Sequence, residues 1–144
     1  MGVAFIDVDG LKTVNDTHGH AAGDALITSA AHTLTHIVDP AAFVARISGD
    51  EFVVVLTGPA ADQIGDYIRI VQTELDNYGI PVSVGWATTT ENHSGTTENH
   101  SSTSFEQLLD RADHMMFADK QHRRQSRPQE QLGERDKGHE RSQY

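Results

Sequence analysis

The sequence has no cysteine, four prolines and one tryptophan, and its first 122 residues carry 5 Lys or Arg against 17 Asp or Glu. Without cysteine, neither a disulfide framework nor a thiolate metal site can form. No apolar run approaches the roughly 20 residues that span a bilayer, and nothing reads as a signal peptide, so a cytoplasmic protein is expected. The scarcity of bases argues against wholesale binding to nucleic acid or an anionic membrane, since both need a basic face. At a net charge of −10, a phosphate ligand would have to bring or meet a divalent cation. The 144 residues suffice for one domain with a real core.

Acids interrupt apolar strands at two places. Val3 to Val8 reads as a strand ending in Asp7-Val8-Asp9-Gly10. Phe43 to Ile47 and Phe52-Val53-Val54-Val55-Leu56 read as a hairpin joined by Gly49-Asp50, with Gly49 expected to supply a positive φ. By itself this acidic turn reads as a solvated hairpin tip.

Between these places, Gly10 to Thr17 reads as a short helical turn. Ala25 to Val38 reads as a helix closed by Pro40, with Asp24 as its N-cap. Ile64, Ile68, Val71 and Leu75 mark a helix ending at Asn77, and Ile80 to Ala87 alternates as a fourth strand. Thr89 to Gly95 and Thr96 to Ser102 form a near-identical polar heptad pair, expected to be a flexible loop in which His93 and His100 bind metal weakly at most. Ser104 caps a last helix from Phe105 to about His122, with Leu108, Leu109, Ala112, Met115 and Met116 facing inward. The polar residues beyond, from Arg123, are expected to form a disordered tail. The βααββαβα order predicts an α+β fold, with helices packed on a mixed sheet.

If the first strand neighbours the hairpin, Asp7 and Asp50 face each other at one sheet edge with Glu51 close by. Clustered carboxylates are costly unless a hard divalent cation sits among them, which points to Mg²⁺ or Mn²⁺. Palm-like folds use such sites for nucleotidyl transfer. Lys12, Lys120 and Arg124 are placed where they could meet a triphosphate, though a base near a helix C-terminus also satisfies carbonyls. Asn15 and Asp24 can read guanine or can simply cap turns and helices. His32 and His36, one turn apart without a third ligand, read as surface histidines.

In order, Phe5-Ile6-Asp7-Val8-Asp9, Lys12, Asn15-Asp16, Gly19-His20, Gly23-Asp24 and Arg46-Ile47-Ser48-Gly49-Asp50-Glu51-Phe52 closely resemble the GGDEF family of diguanylate cyclases. The resemblance continues through Val82-Ser83-Val84-Gly85, Leu108 to Asp113 and Lys120. It implies a palm-like nucleotidyl cyclase (ferredoxin-like) domain over residues 1–125 and a tail over 126–144. It implies condensation of two GTP into cyclic di-GMP by a homodimer, with a sensor or partner protein as regulator. Asp7, the Val8 carbonyl and Asp50 would hold Mg²⁺, and Glu51 would help activate the 3′-hydroxyl or bind a second metal. Asn15 and Asp24 would read guanine, and Lys12, Lys120 and Arg124 would meet the phosphates.

Three departures from the family pattern shape the expectation. Ser48 replaces the first Gly of the signature. Asp39-Pro40-Ala41-Ala42 stands where the family's Arg-x-x-Asp product site belongs, so feedback through it is not expected. The family's leading helix and Asp-x-Leu-Thr-Gly-Leu-x-Asn-Arg segment are not found before the first strand, so an N-terminally truncated domain is expected. A catalytically impaired GTP-binding regulatory module, or a domain remnant, is the alternative reading.

Overall fold

The run Gly2–Val8 is buried at every position, as befits a strand covered on both faces. A computed structural model of the protein describes residues 1–89 and 103–126. This run is β1, followed by α1 (Leu11–His18), α2 (His20–Ile37), β2 (Phe43–Ser48) and β3 (Glu51–Leu56). After a 3-10 turn at Gly58–Gln63 come α3 (Ile64–Asn77), β4 (Val82–Thr88) and α4 (Phe105–Gln125). The heptad pair from Thr90 onward, with His93 and His100, and the tail beyond Ser126 lie outside the described residues.

The α+β, palm-like arrangement is as expected, with one refinement. The strand order is β2-β3-β1-β4 and all three neighbouring pairs are antiparallel, so the sheet is not mixed. Each helical crossover does return the chain to a strand of the same direction. That strand lies two places away, however, and an antiparallel strand fills the gap.

Alternation along the strands divides the core in two. Ala4, Ile6 and Val8 of β1, with Phe52 and Val54 of β3, face α2 and α3. There Ile64, Ile68, Val71 and Leu75 are essentially fully buried, each contributing roughly 1.5–3 kcal/mol. Val3 and Phe5 instead meet Leu108, Ala112 and Met116 of α4, with Val53 and Ala87. Of the five α4 positions expected to face inward, Leu109 is partly buried and Met115 is exposed. Asp7 and Asp9 follow the α4-facing parity of β1, which sets them beside that helix.

Local chemistry explains most boundaries. Ser104 Oγ accepts from Gln107 N at 3.2 Å and Gln107 Oε1 accepts from Ser104 N at 3.0 Å, a complete capping box. Asp24 is not an N-cap. The α2 helix starts at His20, after Gly19 at φ 87°, because this left-handed glycine reverses the chain directly out of α1. Gly49 is likewise not among the positive-φ glycines. A register shift between Arg46 and Ser48 accommodates the turn, and the Arg46 guanidinium donates to the Gly49 carbonyl at 2.8 and 3.1 Å. Among the described residues, no helix is long and apolar enough to cross a membrane.

Candidate active site

The C-terminal end of β1, the β2–β3 turn, the start of α1 and the last turns of α4 converge on a cleft of about 270 Å³. Its lining includes Val8, Lys12, Asp50, Lys120, Arg123 and Arg124. Strand pairing brings the two acidic places together. The register partner of Asp7 is Glu51 rather than Asp50, while Val8 N donates to the Asp50 carbonyl at 2.9 Å. Directly opposed residues project to one face of the sheet, so Asp7 and Glu51 share the α4 side. Glu51 Oε2 accepts from Ser48 Oγ at 2.7 Å. The serine that departs from the signature therefore holds the adjacent acid.

Asp7 is 3% exposed and its Oδ1 lies 2.7 Å from Lys120 Nζ. Burial pushes the Asp7 carboxyl above its ordinary range. The hydrogen bond from Lys120 opposes this, and the negative charge of Asp50 adds to it. A raised carboxylate pKa means that the folded state binds the proton more tightly than the unfolded chain. Stability from this group is then present below the unfolded value of about 3.9 and lost as pH rises through the folded one. Relative to Asp7→Asn, the native protein is expected to lose stability as pH climbs through that interval, as measured by urea denaturation at successive pH values. The loss of Lys120's partner shifts the comparison by a constant and leaves this slope; a flat difference would remove the burial assignment.

The donor set suits a hard cation. Asp7 and Asp50 are near enough for one charge to raise the pKa of the other, and Val8 lines the same cleft. Among the described residues, no three His, Cys, Asp or Glu side chains gather into a closed cage. With so few carboxylates, a cation held there would keep several waters and take substrate phosphates as ligands, as Mg²⁺ does. His32 and His36 join no such group; His36 Nδ1 pairs with the His32 carbonyl at 2.7 Å.

Of the residues singled out from sequence, Val8, Lys12, Asp50, Lys120 and Arg124 line the cleft. Asp7 reaches it through Lys120, whereas Glu51, Asn15 and Asp24 are outside the lining. The α1–α2 pair instead sets Asn15 against Gly23, where an added Cβ would overlap Asn15 Oδ1. That oxygen is buried and has no hydrogen-bond partner among the described residues, an expensive condition for a carbonyl. Exposed Asp24 follows Gly23 directly. Sequence reasoning missed Arg123 by ending the last helix near His122 and assigning the next residue to the tail. Its i+3 spacing from Lys120 was the available signal.

The family profile described as "Diguanylate cyclase, GGDEF domain" matches residues 1–126. The chain belongs to the GGDEF family. Diguanylate cyclase DgcN of Escherichia coli is 31% identical over 83% of this chain and 29% of its own length. A 19.3 kDa protein from the repSA 5′ region of Streptomyces ambofaciens is 34% identical over 88% of this chain and 67% of its own. A Streptomyces griseus protein from the hutH 5′ region is 41% identical over 59% of the chain. The chain spans only 34% of that relative's length. Among solved structures, the GGDEF domain of DgcB from Caulobacter crescentus in complex with c-di-GMP aligns with a TM-score of 0.67 and 26% identity, over 84% of this chain and 72% of that one. Cyclic di-GMP synthesis is thus the general activity of the family. At the place of its Arg-x-x-Asp site, this GGDEF domain has Asp39 Oδ1 accepting from Ala41 N at 2.7 Å.

Proposed function

We propose that this chain is a diguanylate cyclase that condenses two GTP molecules into cyclic di-GMP and releases pyrophosphate, with Mg²⁺, or Mn²⁺ in its place, as cofactor. The observation that carries this reading is the meeting of Asp50 and Val8 with Lys12, Lys120 and Arg124 in one cleft beside buried Asp7. Asp7, the Val8 carbonyl and Asp50 would hold the metal, which when bound neutralises phosphate charge and lowers the pKa of the attacking hydroxyl. Lys12, Lys120 and Arg124 bind the triphosphate as charge-assisted donors. Asn15 Oδ1, which has no partner among the described residues, and the Asp24 carboxylate accept from the guanine N–H groups. Glu51, oriented by Ser48 Oγ, assists removal of the 3′-hydroxyl proton. That oxygen then bonds to the α-phosphorus of the facing GTP as the bond to pyrophosphate breaks. Each domain holds one GTP, so the reaction takes place in a homodimer, and a sensor or partner protein controls how the two domains meet.

The test is incubation of the purified chain with GTP and Mg²⁺ at high protein concentration, with cyclic di-GMP read by mass spectrometry. Product formation is expected. GTP binding without product would favour a GTP-binding regulatory module, and absence of binding would overturn both readings. Gly23→Ala separates binding from folding. Its Cβ would displace the end of the Asn15 side chain, while alanine favours the helix by about 1 kcal/mol over glycine. Calorimetry is expected to read GTP affinity lowered roughly tenfold, the scale of one lost base-edge hydrogen bond. Thermal stability should be unchanged or higher; undiminished affinity would remove Asn15 from the guanine site.

A further inference from the structure

Nothing apolar on α4 is buried beyond Met116. The last turns of this helix, which carry Lys120 and Arg124 into the cleft, are therefore held by polar contacts. Asp119 Oδ2 accepts from Val84 N at 2.8 Å and from Gln72 Nε2 at 3.1 Å. Lys120 pairs with Asp7, and that contact weakens when its ammonium turns to a phosphate. The third tether is Arg123. Its Nε lies 3.4 Å from Asp9 Oδ2, and its Nη2 donates to Asp76 Oδ1 and Oδ2 at 3.0 and 3.3 Å.

Asp9 is itself fixed. It is 9% exposed, its Oδ1 accepts from the buried Ser83 Oγ at 2.8 Å, and its backbone N donates to the Pro81 carbonyl at 2.8 Å. Its Oδ2 has no hydrogen-bond partner among the described residues, so the nearby guanidinium is what offsets that buried charge. Ser83, Asp9, Arg123 and Asp76 thus tie β4, the end of β1, α4 and the end of α3 into one line. A planar guanidinium suits such a bridge, because its fork addresses two carboxylates at once.

We propose that Arg123 is a positioning residue. By clamping the C-terminal turns of α4 between Asp9 and Asp76, it sets Lys120 and Arg124 at the distance a triphosphate requires. Although it lines the cleft, its charge is already shared between two carboxylates, so a direct phosphate contact would have to break the clamp. This inference rests on the GTP-binding reading of the same cleft.

Asp76 supplies the test because it is outside the cleft lining and its loss removes no ligand contact. The full chain is titrated by calorimetry with β,γ-imido-GTP plus Mg²⁺, and separately with guanosine. Asp76→Asn and Arg123→Gln are each expected to weaken the triphosphate roughly fivefold, the scale of a partly exposed Arg–carboxylate pair. Guanosine affinity should stay unchanged, Arg123→Lys should recover part of the loss, and the double variant should be no weaker than Arg123→Gln alone. Undiminished or tighter triphosphate binding by Asp76→Asn, with loss in Arg123→Gln, would establish a direct phosphate contact and overturn the clamp. Equal losses for guanosine and triphosphate would reduce Arg123 to a structural role. A native chain that binds no triphosphate overturns both the clamp and the GTP reading, whereas a binding chain insensitive to Asp76→Asn overturns the clamp alone.

Discussion

Asp50→Ala is expected to lower cyclic di-GMP formation by at least about 10²–10³-fold, the scale seen when a preorganised group is removed from a site of developing charge. The fold should survive the change. The structural duty of this residue belongs to its backbone, whose carbonyl accepts from Val8 N, and alanine keeps that bond. Removing the side chain also removes a negative charge that adds to the effect of burial on the Asp7 pKa, so the penalty at Asp7 should ease rather than grow. A loss of turnover without a loss of stability is the pattern of a ligand rather than of a packing residue. Mn²⁺ affinity, followed by electron paramagnetic resonance in the presence of β,γ-imido-GTP, should fall in parallel. Glu51→Ala should lose turnover with less effect on nucleotide binding, because Glu51 lies outside the cleft lining. An Asp50→Ala chain that cyclises GTP at the native rate would eliminate the metal assignment.

What could be read before the structure follows the range of the interactions involved. The α3 helix was legible to its last residue because Ile64, Ile68, Val71 and Leu75 repeat at the period of the helix itself. The Ser104 capping box and the Gly49-Asp50 turn were legible because both are local. Register was not. Whether Asp7 stands opposite Asp50 or Glu51 depends on one residue of slippage between strands far apart in sequence, and the shift between Arg46 and Ser48 has no strong local signal. The start of α2 was misplaced for a related reason. Asp24 is a good capping residue, but the reversal after α1 is made by Gly19, and a tertiary reversal overrides a local preference. The i+3 spacing from Lys120 could place Arg123 near that face of the helix, but its pairing was not legible because its partners, Asp9 and Asp76, lie on elements that only the fold brings together.

Gly85→Ala should produce the largest loss of stability, and the reason is the identity of the atoms in its way. Gly85 lies in β4 on the face covered by α4, and a Cβ there would overlap the Ala112 carbonyl oxygen and the Met116 backbone nitrogen. Those are main-chain atoms of a helix, so no rotamer change can make room, and α4 must lift from the sheet. Lifting it loosens Leu108, Ala112 and Met116 from Val3, Phe5 and Val53. A cost of about 3 kcal/mol or more follows from overpacking combined with lost burial, a large share of the roughly 5–15 kcal/mol that holds a domain together. Gly65→Ala is the informative contrast. Its Cβ would come within 2.7 Å of Trp86 Nε1, an atom of a half-exposed side chain that can rotate, so its cost should be well below that of Gly85→Ala. Urea denaturation should find the Gly85→Ala midpoint far below that of Gly65→Ala with a similar slope. Equal midpoints would mean that α4 does not rest on β4 backbone to backbone. The same displacement carries Lys120 away from Asp7, so any Gly85→Ala protein that folds should also bind β,γ-imido-GTP more weakly. The glycine that lets the helix approach the sheet thereby sets the reach of the cleft's lysine.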